Sequence, residues 1–199
     1  MSFKAVIVGL GRIGLRYDLS DRRNVMTHAN ALAKHPAFEL CGGVDENPEN
    51  RRVLEEVYSV PSFPSIHDAL TKGDLDIVVI ATPTSSHLSI VREILDSCVP
   101  RMILCEKPFS GSVEEAGYIL QLSDQKDVEL CVNYIRRFEP GAISVRERIG
   151  SGRLGCNIDG VARYSGNLIN NGSHMINLLE SWLGSLVSAR ELTTNGQEY

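Results

Sequence analysis

Five short apolar runs punctuate the first part of the chain: Phe3 to Val8, Phe38 to Val44, Leu75 to Ala81, Arg101 to Cys105 and Glu129 to Asn133. They read as strands, and an unbroken β-branched run such as Phe3 to Val8 marks a strand buried on both faces of a parallel sheet. Between the runs, apolar residues recur at helical spacing. Pro48 to Tyr58 opens with proline and sets Val53, Leu54 and Val57 on one side, Ser86 to Cys98 does the same with Leu88, Val91, Ile94 and Leu95, and a shorter helix is predicted near Thr27 to His35. Strand and helix alternate, which predicts an α/β domain with a doubly wound parallel sheet and right-handed crossovers. The charged, aperiodic stretch from Arg16 to Asn24 lengthens the first crossover and reads as a surface loop or lid.

After Asn133 the pattern changes. Glu139 to Gly150 reads as a helix, Leu154 to Ser165 as a long alternating strand, Asn171 to Leu183 as a helix ended by Gly184, and Leu186 to Leu192 as a further strand. The expected organisation is one domain over residues 1–133 and the beginning of an α+β second domain over 134–199. So few elements make a poor core by themselves, and the second portion reads as incomplete.

Composition narrows the function classes. The net charge is −5 with acidic and basic residues interspersed, so no basic stripe points to nucleic acid and no polybasic segment to a membrane. No charged-then-apolar leader opens the chain, and no apolar run approaches the ~20 residues that span a bilayer. The five cysteines (Cys41, Cys98, Cys105, Cys131 and Cys156) are odd in number and lie mostly in strand-like runs, as reduced core thiols do. A cytoplasmic protein is expected.

The residues that look chemical close the predicted strands, where open α/β sheets bind their ligands. The first strand runs into Gly9-Leu10-Gly11-Arg12-Ile13-Gly14, a G-x-G-x-x-G pattern. Its glycines suit a tight turn, a close approach of backbone to a pyrophosphate, and close packing of helix on strand, with the phosphates on the helix N-terminus. Asp45 ends the second strand, where a carboxylate accepts hydrogen bonds from the adenosine ribose and selects NAD over NADP; the competing reading is a turn-forming aspartate ahead of Glu46-Asn47-Pro48. Arg51 and Arg52 leave NADP open. Thr82 and Pro83, followed by Thr84-Ser85-Ser86, suit a turn facing a ribose or nicotinamide, with Ser85 or Ser86 as a helix cap. His87 is read either as a cofactor contact or as a satisfied histidine at a helix end.

Further along, Cys105-Glu106-Lys107-Pro108 closes a strand with a lysine held by a following proline compatible with a cis bond. Such a lysine can hydrogen-bond a substrate oxygen and favour its alkoxide character, and it can equally be an exposed turn residue. Asn133, Arg136 and Arg137 could hold a sugar or anionic substrate, or form a solvated face. Asn170 and His174 stand four apart at a predicted helix start, and an imidazole there can take the proton of an alcohol as hydride leaves.

Taken together, Gly9 to Gly14, Val44-Asp45, Ala81-Thr82-Pro83 with His87, Glu106-Lys107-Pro108, Asn133-Tyr134 with Arg137-Phe138-Glu139-Pro140, Ser151 to Gly155, and Gly172-Ser173-His174 resemble, in order, the motifs of the Gfo/Idh/MocA family of sugar and cyclitol oxidoreductases. The resemblance implies a Rossmann domain binding NAD through Gly9, Gly11, Arg12, Ile13, Gly14, Asp45, Thr82, Pro83, His87, Glu106 and Lys107. It implies Lys107 as a catalytic residue and His174 as the acid/base, with Lys107, Asn133, Arg136 and His174 toward a carbohydrate-type substrate, and no metal. The family usually has aspartate where this chain has Asn170, and asparagine orients an imidazole without supplying negative charge. Asn177 also stands where the family often has aspartate. The family's second domain is normally a broad sheet of well over a hundred further residues that covers the substrate and often forms a dimer interface; with only its start, exposed strand edges that would invite a second copy are expected.

Two other readings compete with hydride transfer on a sugar or cyclitol hydroxyl. A non-catalytic dinucleotide-binding or interaction protein is compatible with Asn170, since fold does not guarantee activity. A dehydrogenase of amino-acid metabolism would share the glycine loop but leave Glu106-Lys107-Pro108 and His174 unexplained.

Overall fold

The structure, a computed structural model, describes residues 2–71, 73–155 and 157–190. It divides into two compact units, residues 1–133 and 134–199.

In the first unit six parallel strands lie in the order β3-β2-β1-β4-β5-β6. They are β1 (Phe3–Val8), β2 (Phe38–Val44), β3 (Ser62–Phe63), β4 (Ile77–Ile80), β5 (Met102–Cys105) and β6 (Glu129–Val132). Helices α1 (His28–Lys34), α2 (Pro48–Tyr58), α3 (Ile66–Leu70), α4 (His87–Ser97) and α5 (Val113–Gln125) make the crossovers. The chain order reverses between β1 and β4, so a crevice opens at the carboxyl ends of those strands.

Side-chain alternation explains the unbroken apolar runs. Along β1, Ala5 and Ile7 enter one core with Leu10, Leu15, Leu32 and Leu54, whereas Val6 and Val8 enter the other with Val91, Ile94 and Ile119. Strand β4 divides the same way, Ile77 and Val79 against Val78 and Ile80. Burying a Val, Leu or Ile stabilises by roughly 1.5–3 kcal/mol, and a central strand collects this on both faces.

The helix starts are written locally. Thr27, Asn47, Ser65 and Ser112 each accept a hydrogen bond from a backbone N–H of the first turn of α1, α2, α3 and α5. Helix α5 escapes the hydrophobic pattern because Val113, Tyr118 and Leu120 are exposed while only Ile119 and Ser123 are buried. Strand β3 and helix α3 are too short to show a period.

The second unit holds α6 (Pro140–Gly150) and α7 (Ser173–Leu183), the latter preceded by a π-helical turn at Leu168–Gly172. Trp182 Nε1 donates to the Ala142 carbonyl at 2.9 Å and ties α7 to α6. The strand expected over Leu154 to Ser165 is not formed: its described residues carry no strand pairing and residues 157–165 are exposed. A strand is stable only when a neighbour takes up its backbone hydrogen bonds, and the described part of this unit offers none. Of the strand expected over Leu186 to Leu192, residues 186–190 are irregular and the last two lie outside the described residues, as does Cys156. No helix among the described residues is long and apolar enough to cross a membrane.

Candidate functional site

Sheet register builds the site. Phe63, Val44, Val8, Ile80, Cys105 and Val132 are partners across the sheet, so the residues that follow five of them (Asp45, Gly9, Ala81, Glu106 and Asn133) form a row at its carboxyl edge. Backbone bonds lock the row: Gly9 N donates to Val44 O, Ala81 N to Val8 O, Glu106 N to Ile80 O and Asn133 N to Cys105 O, at 2.7 to 2.9 Å. A cleft of about 570 Å³ opens beside it, lined by Gly9, Gly11, Asp45, Thr82, Pro83, Ser85 and Ser86 among others. That volume suits a small-molecule or cofactor site.

The glycine loop fits a dinucleotide. Gly9 turns at φ +97°, and a Cβ there would sit 2.7 Å from the Ala81 backbone. A Cβ on Gly14 would lie 2.0 Å from Gly9 O, so the chain packs against itself where only glycine goes. A Cβ on Gly11 would meet nothing within 4 Å and borders the cleft, leaving room for a group laid against the backbone. The loop leads into one π-helical turn, Arg12–Arg16, closed by Arg16 N to Gly11 O and Tyr17 N to Arg12 O at 3.0 Å. This corrects the expected phosphate-binding helix: five residues carry little macrodipole, and the backbone N–H groups at the start of the turn are what remain for an anion. The Arg12 guanidinium lies over the Tyr17 ring at 4.7 Å, and Ile13 is half-buried.

Asp45 works inside the chain already. Its Oδ2 accepts from Leu10 N at 2.8 Å and Asn50 Nδ2 at 3.1 Å, and its Oδ1 accepts from Asn47 N at 2.8 Å. These bonds are both the turn-forming role and a tether on the glycine loop, and they use three of a carboxylate's roughly four acceptor positions. Arg51 donates to the carbonyls of Asp45 and Glu46, while Arg52 reaches outward to Glu49 and Glu56.

At the end of β4, Thr82 Oγ1 accepts from Ser86 Oγ at 2.9 Å, and Pro83 is exposed beside the cleft. His87 is fully buried. Its ring nitrogens lie 3.0 Å from the carbonyls of Thr82 and Phe109, with Cys105 Sγ 3.3 Å from Nδ1. This corrects its expected cofactor contact: both nitrogens face protein carbonyls, so the ring clamps the turn after β4 to the loop after Lys107. Thr84 Oγ1 donates across the same gap to Pro108 O. Burial, then the charge on Glu106, pushes the Cys105 thiol up to about 12.

Glu106 directly follows β5 and is buried. Its Oε1 accepts from Asn133 Nδ2 at 2.6 Å and pairs with His28 Nε2 at 2.9 Å, and its Oε2 accepts from Lys107 N at 3.3 Å. Burial alone would raise this carboxyl, but His28, Asn133 and the Lys107 amide outweigh it and hold Glu106 below the usual carboxylate range. Lys107 follows, half-buried, before a cis bond to Pro108. His28 was absent from the sequence reading because nothing in the pattern joins it to a residue 78 positions away.

Of the surface loop or lid expected over Arg16 to Asn24, the structure shows a folded surface loop built on Asp18, which is 2% exposed. Its carboxylate accepts from Met26 N, Thr27 N, Thr27 Oγ1 and Asn30 Nδ2 at 2.8 to 2.9 Å. Burial would raise this carboxyl, yet these bonds hold it below the usual range.

In the second unit His174 is buried at the start of α7, edge-on to the Tyr134 ring at 5.7 Å. Asn170 lies one turn earlier, its N–H donating to Asn167 Oδ1 at 2.7 Å. Arg136 is exposed on a 3₁₀ turn at Ile135–Phe138, and Asn177 lies within α7. Among the described residues no cluster of histidine, cysteine and carboxylate side chains could hold a metal ion.

Comparison with known proteins agrees with this geometry. The rhizopine catabolism protein MocA of Rhizobium meliloti is 30% identical over 153 residues, 77% of this chain and 44% of that protein. The inositol 2-dehydrogenase of Rhizobium meliloti (strain 1021) is 28% identical over 157 residues, 78% of this chain and 43% of that protein. The WlbA dehydrogenase from Bordetella pertussis, solved in complex with NADH and UDP-GlcNAcA, superposes with a TM-score of 0.72 at 25% identity over 92% of this chain and 56% of that one. The chain thus spans about half the length of these relatives. Residues 3–134 match the Gfo/Idh/MocA profile, an oxidoreductase family with an NAD-binding Rossmann fold, and the chain belongs to that family.

Proposed function

We propose that this chain carries the cofactor-binding part of an NAD(H)-dependent oxidoreductase that moves hydride between nicotinamide and a hydroxyl-bearing carbon of a sugar, nucleotide sugar or cyclitol. The observation that carries this reading is the row at the sheet's carboxyl edge, which sets the glycine loop, Asp45, Thr82 and Glu106 along one edge beside an open cleft. The named activities of the inositol and UDP-sugar relatives support the substrate class.

Bound NAD supplies the hydride acceptor. Backbone N–H groups of Gly11 to Ile13 would hold its phosphates, and Asp45 would accept from its adenosine ribose. Thr82, Pro83 and Glu106 would hold its nicotinamide end. His87 acts through others, fixing the turn after β4 and the Lys107 loop. Lys107 and Asn133 would contact the substrate, Lys107 donating to the reacting oxygen and favouring its alkoxide form as hydride passes to the nicotinamide. In the second unit, His174 would take the hydroxyl proton, with Asn170 orienting the imidazole and Arg136 contacting the substrate.

Asn170 favours one alternative, a dinucleotide-binding protein without turnover, because an asparagine lends no negative charge to an imidazolium. The test is titration with NADH by nicotinamide fluorescence, followed by assays on inositols and nucleotide sugars with Lys107→Ala and His174→Ala beside the parent. Saturable NADH binding with turnover lost in both variants supports the enzyme. Binding with no turnover on any of these substrates favours the alternative, and no binding overturns both.

A further inference from the structure

One side chain bonded to Asp45 of the cleft uses both ends of its amide on residues of opposite charge. Asn50, on the first turn of α2, donates from Nδ2 to Asp45 Oδ2 at 3.1 Å and accepts at Oδ1 from Arg16 Nε at 2.6 Å. The orientation follows from donor and acceptor logic. A flipped amide would set oxygen against a carboxylate and N–H against a guanidinium. All three residues are half-buried, so the bridge is shielded in part from solvent.

The three residues come from different elements. Arg16 ends the π-helical turn behind the glycine loop, with its N–H on Gly11 O. Asp45 ends β2 and holds Leu10 N of the same loop. Asn50 therefore closes a circuit of glycine loop, carboxylate, amide and guanidinium around the place where the adenosine ribose belongs. The other arginines near Asp45 are tied elsewhere, Arg51 on the carbonyls of Asp45 and Glu46 and Arg52 on Glu49 and Glu56.

We propose that Asn50 is a specificity-determining residue of the nucleotide site: it aims Asp45 at a ribose diol and holds Arg16 back from the 2′ position, so that the site selects NADH over NADPH. The inference rests on the proposed cofactor role. A 2′-phosphate brings negative charge against Asp45 and needs a guanidinium to offset it. Arg16 is the cation one amide away from doing so, and Asn50 keeps it occupied.

The experiment measures NADH and NADPH dissociation constants by nicotinamide fluorescence for the parent chain, Asn50→Ala, Asn50→Asp and the double variant Arg16→Ala/Asn50→Ala, with the thermal midpoint of each apoprotein alongside. The parent should prefer NADH. Asn50→Ala should weaken NADH by about tenfold, the scale of one charge-assisted hydrogen bond, while tightening NADPH. The double variant should lose the NADPH gain, which identifies Arg16 as its source. Asn50→Asp keeps Arg16 paired but sets a like charge on Asp45, so it should weaken NADH without improving NADPH. An unchanged NADH to NADPH ratio in Asn50→Ala, in a variant whose thermal midpoint is preserved, overturns the inference and leaves the cofactor reading standing. A parent that binds neither nucleotide overturns both. A ratio that shifts equally with and without Arg16 also overturns it, because the guanidinium is then not the group released.

Discussion

Two glycines three residues apart should respond to alanine in opposite ways. At Gly14 an added Cβ would lie 2.0 Å from Gly9 O and 3.1 Å from Gly9 C, against an ordinary contact of 3.4 Å or more. The obstacle is backbone held by Gly9 N on Val44 O, so relief requires the glycine loop to leave the sheet. The cost belongs at the upper end of overpacking, about 3 kcal/mol. For a chain of this length that lowers the thermal midpoint by about 6–12 °C. At Gly11, φ is −75° and ψ −151°, and a Cβ meets no atom within 4 Å, so alanine should leave the midpoint unchanged or raise it slightly. The same methyl would occupy space wanted by a pyrophosphate and should weaken NADH by about tenfold or more, one tenfold step being ~1.4 kcal/mol. Differential scanning fluorimetry gives the midpoints and nicotinamide fluorescence the affinities. A Gly14→Ala protein as stable as the parent, or a Gly11→Ala protein binding NADH as tightly as the parent, refutes the reasoning.

The Asp18 staple should be expensive to remove. Asp18→Ala strands the donors of Met26, Thr27 and Asn30 and should cost about 3 kcal/mol, read from urea unfolding. Because the native Asp18 carboxyl is held below its usual range, its contribution is present above the unfolded value near pH ~3.9 and lost as pH falls through the depressed native value. The stability gap between parent and variant should therefore narrow on going from pH 7 to pH 3, and a constant gap would contradict the assignment. Cys105, with its thiol near 12, is thiolate in only about one molecule in ten thousand at pH 8. Iodoacetamide followed by peptide mapping should leave it unlabelled in native protein and label it in denaturant; native labelling at the denatured rate would show that the buried His87–Cys105 contact does not persist in solution.

Much of the first unit was legible because two-sided burial writes itself as continuous apolar runs. Strands β1, β2, β4, β5 and β6 end within one or two residues of where hydrophobicity stops, and a candidate site residue (Gly9, Asp45, Thr82, Glu106 and Asn133) follows within two positions of each. Helix α5 was less legible because Val113, Tyr118 and Leu120 lie on its exposed side while a serine, Ser123, is buried beside Ile119. The second unit was misread at Leu154 to Ser165, where alternation describes a strand but cannot provide its partner.

The sequence by itself determined the alternation of strand and helix, the turn at Gly9 and Gly14, and the order of motifs that marks the family, but not the helix cap expected at Ser85 or Ser86, where α4 has no side-chain cap bond. These are local properties, set by side-chain period, backbone conformation and residues a few positions apart. Tertiary structure alone decided which polar groups meet. It paired His28 with Glu106, bridged Asp45 to Arg16 through Asn50, turned both nitrogens of His87 to backbone carbonyls, and folded the surface loop around Asp18. Such pairings join residues from 5 to 78 positions apart, from different elements, and no periodicity encodes them. They form because the sheet brings its strand ends together at one edge, where buried polar atoms must find partners or pay the cost of desolvation.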